Sequence, residues 1–72
     1  MTNEDRENLA RAYELAWKAV KRRPCVVTIE PNGWFTRSWP DWSARPDKKR
    51  ASDLLNGLVV LTQQIEKKMV TA

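Results

Sequence analysis

The sequence CVVTIEPNGWFTRSW, residues 25–39, predicts two strands joined by a tight turn. β-Branched and aromatic side chains flank Glu-Pro-Asn-Gly, residues 30–33, which fits a type I turn. Pro31 sets φ at the first central position, and Gly33 supplies the left-handed residue of a three-residue loop with a bulge. The sequence therefore predicts a β-hairpin over residues 25–39.

This turn fixes which residues of the hairpin face each other. A three-residue loop pairs Glu30 with Trp34 and therefore Ile29 with Phe35. Successive side chains alternate between faces, so one face collects an apolar set whose only polar member is Arg37. The apolar set is Cys25, Val27, Ile29, Phe35 and Trp39. The alternative, a four-residue loop that pairs Ile29 with Trp34, would disperse this set, so we expect the first register, with Trp34 on the outer face.

A helix over about 4–22 is predicted before the hairpin. Apolar side chains recur there at spacings of three and four residues, the period of an α-helix. They are Leu9, Ala12, Tyr13, Ala16 and Val20. Pro24 disfavours helical backbone at Arg23 and ends the segment.

A second helix over about 47–70 is predicted after a loop at 40–46. Its apolar stripe consists of Ala51, Leu54, Leu55, Leu58, Leu61, Ile65 and Met69. Gly57 weakens the interior of a helix by roughly 1 kcal/mol relative to alanine, which indicates that another element packs closely there.

These elements predict the α+β class, as a small single domain over residues 1–72. Its order is helix, β-hairpin, helix (α-β-β-α), with both helices packed on one face of a two-stranded antiparallel sheet. The middle of the second helix is apolar nearly all round, which favours a homodimer. The predicted dimer interface is Leu58, Val59, Val60 and Ile65. In the alternative, the hairpin of the same chain covers Val59 and Val60.

The composition limits what can stabilise a chain of 72 residues. A single core of this size rarely supplies more than roughly 3–5 kcal/mol, so small chains usually gain a disulfide, a metal or a second subunit. One cysteine and no histidine exclude an intramolecular disulfide and the common zinc and haem patterns. We therefore expect no cofactor and no metal. Of the three usual sources of added stability, self-association is the one that remains.

Charge and hydropathy bear on location. Residues 1–10 are acidic and polar, unlike a secretory signal, and no apolar run approaches the ~20 residues that span a bilayer. We expect a soluble cytoplasmic protein without a membrane partner. The net charge of +4 and the pI of about 9.6 are compatible with nucleic acid or an acidic protein surface.

The sequence favours binding over catalysis. Histidine is absent, and the only two glycines form no phosphate-binding loop. Cys25 begins a strand on the apolar face, where a buried small side chain is a better interpretation than a nucleophile. We expect no enzyme activity and no catalytic residues.

Three of the four tryptophans fall within residues 34–50, interleaved with five arginines and lysines. Such residues dominate protein interfaces and also form stacking surfaces for bases. We assign Trp39 to the core. The predicted partner-binding residues are Trp34, Arg37, Trp42 and Arg45, with Trp42 open to either role.

Two basic clusters are candidate anion or nucleic-acid sites. The first is Lys21, Arg22 and Arg23, where charge at a helix C-terminus is the alternative interpretation. The second is Lys48, Lys49 and Arg50, in the first turn of the predicted second helix, where cations oppose the dipole. Its alternative is that Asp47 and Asp53 offset the charge.

Two functions are compatible with these features. The first is a protein-binding module, a regulator or inhibitor that docks on a larger protein. The second is a nucleic-acid-binding accessory protein that uses clusters 21–23 and 48–50 on phosphates.

Overall fold

The structure is a computed structural model that describes the backbone of residues 2–71 and the side chains of residues 2–68. The helices are α1 (Asn3–Lys21) and α2 (Ala51–Thr71), and the strands are β1 (Val26–Ile29), β2 (Phe35–Ser38) and β3 (Asp47–Lys49). The strands form one antiparallel sheet in the order β1-β2-β3. The predicted α+β class is confirmed, although the sheet has three strands rather than two. The side chain of Met69 lies outside those described.

Helix α1 begins with a capping box. The Asp5 backbone N–H donates to the Thr2 hydroxyl at 3.1 Å, and the Thr2 backbone N–H donates to the Asp5 carboxylate at 3.2 Å. Hydrogen bonding with Thr2 lowers the pKa of Asp5. The helix ends where Arg22 adopts a left-handed φ of 61° and donates its N–H to the Lys18 carbonyl. The predicted bounds of 4–22 differ from these by one residue at each end.

The hairpin has the predicted register. The Cα partners run from Val26 opposite Ser38 to Ile29 opposite Phe35. Gly33 closes the turn with a φ of +89°, a conformation that costs glycine little. The buried residues of the inner face are Cys25, Val27, Phe35 and Trp39. The turn therefore collects the apolar set as its sequence predicts.

Strand β3 shows that the prediction of a helix from about 47 was wrong. Residues 47–49 pair with β2, with Lys49 opposite Phe35, and α2 begins at Ala51. Lysine has good helix propensity, but β2 offers a free edge, and Arg37 pairs with the Asp47 carboxylate. These tertiary interactions override the local preference.

One core joins both helices to the inner face of the sheet. Helix α1 packs against β1 and against α2. The buried cluster comprises Leu9, Ala10, Tyr13, Ala16, Cys25, Val27, Phe35, Trp39, Leu54 and Leu61. The outer face of the sheet leaves Val26 43% exposed, and Thr28 and Lys48 are exposed there too. The inner face of the sheet therefore forms part of the core, whereas the outer face is open to solvent.

Gly57 lies where α2 packs against Tyr13 of α1. A Cβ atom at this position would lie 3.1 Å from Cε2 of Tyr13. Carbon atoms pack best at about 3.5–4.0 Å, so this separation is too short. Tyr13 is only 3% exposed and has little room to move. The glycine therefore permits the helix contact, which confirms the close packing predicted for it.

Side chains of α1 close the free edge of β1. Val27 donates its N–H to Oε2 of Glu14 at 2.7 Å, and its carbonyl accepts from Nη2 of Arg11 at 3.0 Å. Arg11 also pairs with Glu14 at 2.8 Å and with Glu7 at 3.1 Å. A strand edge is a template for pairing with another chain. Arg11 and Glu14, which we call the edge cap, occupy that position here.

Helix α2 leaves apolar side chains exposed. Leu55, Val59 and Val60 are 47%, 48% and 51% exposed, so the hairpin does not cover Val59 and Val60. Leu58 and Ile65 are instead partly buried against the core of their own chain. Within the described residues, neither helix has the length and apolar character needed to cross a bilayer.

Candidate functional site

Arg37 lies on the inner face of β2 and joins three elements. Its Nε donates to Oδ1 of Asp47 at 2.8 Å, and Nη2 pairs with the other carboxylate oxygen. Its Nη1 donates to the Tyr13 hydroxyl at 2.6 Å. The guanidinium also lies 5.2 Å from the ring centroid of Trp39 and 5.8 Å from that of Trp17. Its charge is therefore compensated within the fold.

Mutual hydrogen bonding keeps Arg37 and Asp47 ionised. The bond to Asp47 raises the pKa of Arg37 above its usual value, and the same bond lowers the pKa of Asp47. Burial raises the pKa of Tyr13, although the nearby Arg37 opposes this effect. Tyr13 thus remains a neutral acceptor for Arg37 at neutral pH.

Four aromatic rings form a row from the core to the surface. Its members in order are Tyr13, Trp17, Trp39 and Trp42. Successive ring centroids are 6.1, 5.6 and 5.7 Å apart, within the range of favourable aromatic pairs. Trp39 is buried, as predicted, whereas Trp42 is 48% exposed and meets it edge-on. The row therefore places one tryptophan at the surface on a buried support.

A cleft of about 270 Å³ lies at the exposed end of this row, and we call it the cationic-aromatic cleft. It is lined by Trp17, Lys21, Arg23 and Trp42. Nζ of Lys21 lies 5.7 Å from the Trp17 ring centroid, and Cζ of Arg23 lies 5.8 Å from that of Trp42. Both cations therefore contact aromatic faces.

The four predicted partner-binding residues do not share one surface. Trp34 and Arg37 are three positions apart in extended backbone, so they lie on opposite faces of the sheet. Trp34 is on the outer face as predicted, but it is partly buried, with Arg50 5.1 Å from its ring centroid. Arg45 is exposed in the segment before β3. Of the four, Trp42 borders the cleft.

The two basic clusters lie at opposite ends of β2. Lys21 and Arg23 flank the cleft beyond the end of β2, and Arg22 between them terminates α1. Residues 48–50 lie near the start of β2, because Lys49 is opposite Phe35. Since Lys48 and Lys49 belong to a strand, their predicted placement in a first helical turn was wrong, and the anion site itself stays a prediction. The structure separates the two clusters.

Trp17 and Asp47 belong to the site, although the sequence does not assign them to it. The spacing of Tyr13, Trp17 and Lys21, each four residues apart, is the available signal for Trp17, since such residues meet on one helix face. Asp47 gives no signal of its own, because its pairing with Arg37 depends on β3. The first residue could have been found from the sequence, and the second could not.

Another cleft, of about 290 Å³, lies beside the edge cap. Its lining includes Leu15, Pro24 and Cys25, and Leu15 is 72% exposed. Burial raises the pKa of the Cys25 thiol to about 11. The thiol is therefore protonated at neutral pH and a poor nucleophile.

Comparison with known proteins identifies no relative of this chain. No protein-family model, curated protein or solved structure matches it. A fold alone does not define a function, because one fold can carry many unrelated sites. The function must therefore be inferred from the geometry of the cationic-aromatic cleft.

Proposed function

We propose that this protein is a non-enzymatic protein-binding module, a regulator or inhibitor that docks on a larger protein. The observation that supports this is the exposure of Trp42, 48%, on a rigid aromatic support. Tryptophan and arginine dominate interface energies, and a side chain that is already ordered loses little entropy on binding. Trp42 is the proposed anchor, with Arg23 beside it.

A homodimer in the cytoplasm is part of this proposal. The exposed apolar side chains of α2, Leu55, Val59 and Val60, support a contact with a second copy of the chain. A helix that is apolar on more than one side usually has more than one neighbour. The free thiol of Cys25 fits a reducing compartment.

The first test removes the anchor. The wild-type chain and Trp42→Ala are used to capture partners from a nuclease-treated host lysate, and the affinity of the captured protein is then measured. We expect Trp42→Ala to bind about thirtyfold more weakly, which corresponds to ~2 kcal/mol. Trp34→Ala is the matched control on the other face of the sheet and should bind normally. Equal binding by wild type and Trp42→Ala would refute the proposal.

Nucleic acid is the second candidate, favoured by the outer face of the sheet. Arg50 lies over the Trp34 ring there, and Lys48 stands opposite Thr36. Cations beside an aromatic ring form a stacking site for unpaired bases. On this alternative, nuclease abolishes capture, Trp34→Ala weakens binding while Trp42→Ala does not, and affinity falls steeply with salt.

A further inference from the structure

We propose that the cationic-aromatic cleft binds an acidic peptide segment that carries one aromatic side chain. This inference rests on the proposed protein-binding function and specifies the chemistry of the partner. The occupant is a single aromatic ring between the indoles of Trp17 and Trp42, with carboxylates of the same peptide at Lys21 and Arg23.

The size of the cleft fits one side chain. Its volume is about 270 Å³. Sites for drug-sized ligands measure about 300–1,000 Å³, so this cleft lies at the small end of that range. Two indoles bound it, and aromatic rings pair favourably with a further ring in an offset or edge-on arrangement. One phenylalanine, tyrosine or tryptophan of a partner therefore suits the space.

The charge of the cleft fits carboxylates. Arg11 and Arg37 have acidic partners in the described chain: Arg11 pairs with Glu14, and Arg37 pairs with Asp47. For Lys21 and Arg23 the described side chains provide aromatic faces and no ion pair, and no carboxylate lines the cleft. These two exposed charges have no acidic partner among the described side chains, so acidic groups of a binding partner complement them.

The cleft is organised before binding. Trp17 contacts Tyr13 and Trp39, and Trp39 supports Trp42, so both walls are continuous with the buried aromatic row. Fixed walls reduce the entropy lost on association. A short segment can therefore bind measurably even though its contact area is small.

A peptide fits better than a nucleic acid. A bound strand of nucleic acid needs cations along its phosphates. The cleft has cations at one end of β2, whereas residues 48–50 lie near the other end. The cationic-aromatic cleft, with its two cations, therefore matches a peptide in which acidic residues neighbour one aromatic residue.

The test uses NMR to monitor the indole N–H signals of the four tryptophans. The full chain is titrated with three blocked peptides, Glu-Glu-Phe-Glu-Glu, Glu-Glu-Ala-Glu-Glu and Lys-Lys-Phe-Lys-Lys, and with a short oligothymidylate. We expect Glu-Glu-Phe-Glu-Glu alone to give saturable shifts of the Trp17 and Trp42 signals, with Trp34 unchanged. Arg23→Gln, at an exposed position, should raise the dissociation constant by about twofold to fivefold.

Three outcomes would overturn the inference: equal shifts with the basic peptide, equal shifts with the alanine peptide, or no saturable shift. Preferential binding of oligothymidylate at Trp42 would also overturn it, in favour of nucleic acid. If partner capture still depends on Trp42 while the acidic aromatic peptide fails to bind, the proposed function stands and the peptide chemistry is wrong. If capture is insensitive to Trp42→Ala, the proposed function itself fails.

Discussion

Arg37 shows how a polar side chain can belong to the inner face of a small sheet. From sequence it is the one polar member of an apolar set. In the structure it donates to Asp47 and to the Tyr13 hydroxyl, and its guanidinium faces the Trp39 ring. A lysine could not reproduce this planar fork of donors. The residue therefore serves packing and hydrogen bonding together.

The ion pair of Arg37 predicts how stability depends on pH. The pKa of Asp47 is lower in the folded chain than the usual value of about 3.9 for an unfolded one. Its contribution is therefore fully present above about pH 4 and is lost as pH falls through the folded pKa. Asp47→Asn should lower the free energy of unfolding at neutral pH by about 1–2 kcal/mol, a modest value because the carboxylate is 39% exposed.

Urea unfolding at a series of pH values measures this effect. The plot of unfolding free energy against pH should be flatter below about pH 4 for Asp47→Asn than for the wild type. The pKa of Asp5 is also lowered, so Asp5 contributes part of this slope in the wild type and in Asp47→Asn alike. Ser43→Ala, an exposed substitution that changes no titratable group, is the control and should keep the wild-type slope. A wild-type slope in Asp47→Asn would contradict the prediction.

At the scale of elements, local signals determined the hairpin but not β3. Pro31 and Gly33 fix a turn, and the turn fixes a register, so neighbouring residues contain the necessary information. Residues 47–49 have no alternation of apolar and polar side chains. They become a strand because β2 has a free edge and Arg37 holds Asp47. Such a strand depends on contacts that a local pattern does not reveal.

The edge cap gives a prediction at the same scale. Glu14→Ala removes the acceptor of the Val27 N–H and a partner of Arg11. Loss of a hydrogen bond to a charged group costs about 1.5–3 kcal/mol, so hydrogen exchange at the Val27 amide should accelerate by about tenfold or more. NMR-detected hydrogen exchange measures this. An opened edge should also make the chain more prone to associate.

Glu7→Ala is the matched control for the edge cap. It removes an ion pair with Arg11 but leaves the Val27 N–H bonded to Glu14. Exchange at Val27 should then remain close to that of the wild type. If Glu14→Ala leaves the protection of this amide unchanged, the edge cap does not control the edge of β1.

At the scale of the whole molecule, the sequence predicts the kinds of residue in the site better than their arrangement. Trp42, Lys21 and Arg23 are all candidates from sequence, but they belong to separate hypotheses. The structure brings them to one cleft, because α1 ends beside the segment after β2. Trp34 and Arg37 are close in sequence and are therefore predicted to share one binding surface. In the structure they lie on opposite faces of the sheet, because side chains alternate along extended backbone. Sequence proximity is a poor guide to a shared surface when backbone is extended.

The proposed dimer is tested on the intact chain. Val60 is 51% exposed on α2, so Val60→Glu should leave the fold intact. Light scattering should show a dimer for the wild type at micromolar concentration and a monomer for Val60→Glu, because a buried unpaired charge disfavours association. Ser43→Glu adds the same charge at an exposed position outside α2 and should remain dimeric. A wild-type monomer at every concentration would exclude the dimer.

The contact between Gly57 and Tyr13 also limits the order in which this sequence can change. A larger residue at position 57 needs space that only a smaller residue at position 13 would provide. Removing the phenol, however, takes an acceptor from Arg37 and a neighbour from Trp17. Each single replacement therefore passes through a less stable chain. Positions 13, 37 and 57 should be redesigned as one unit, although they lie on three different elements.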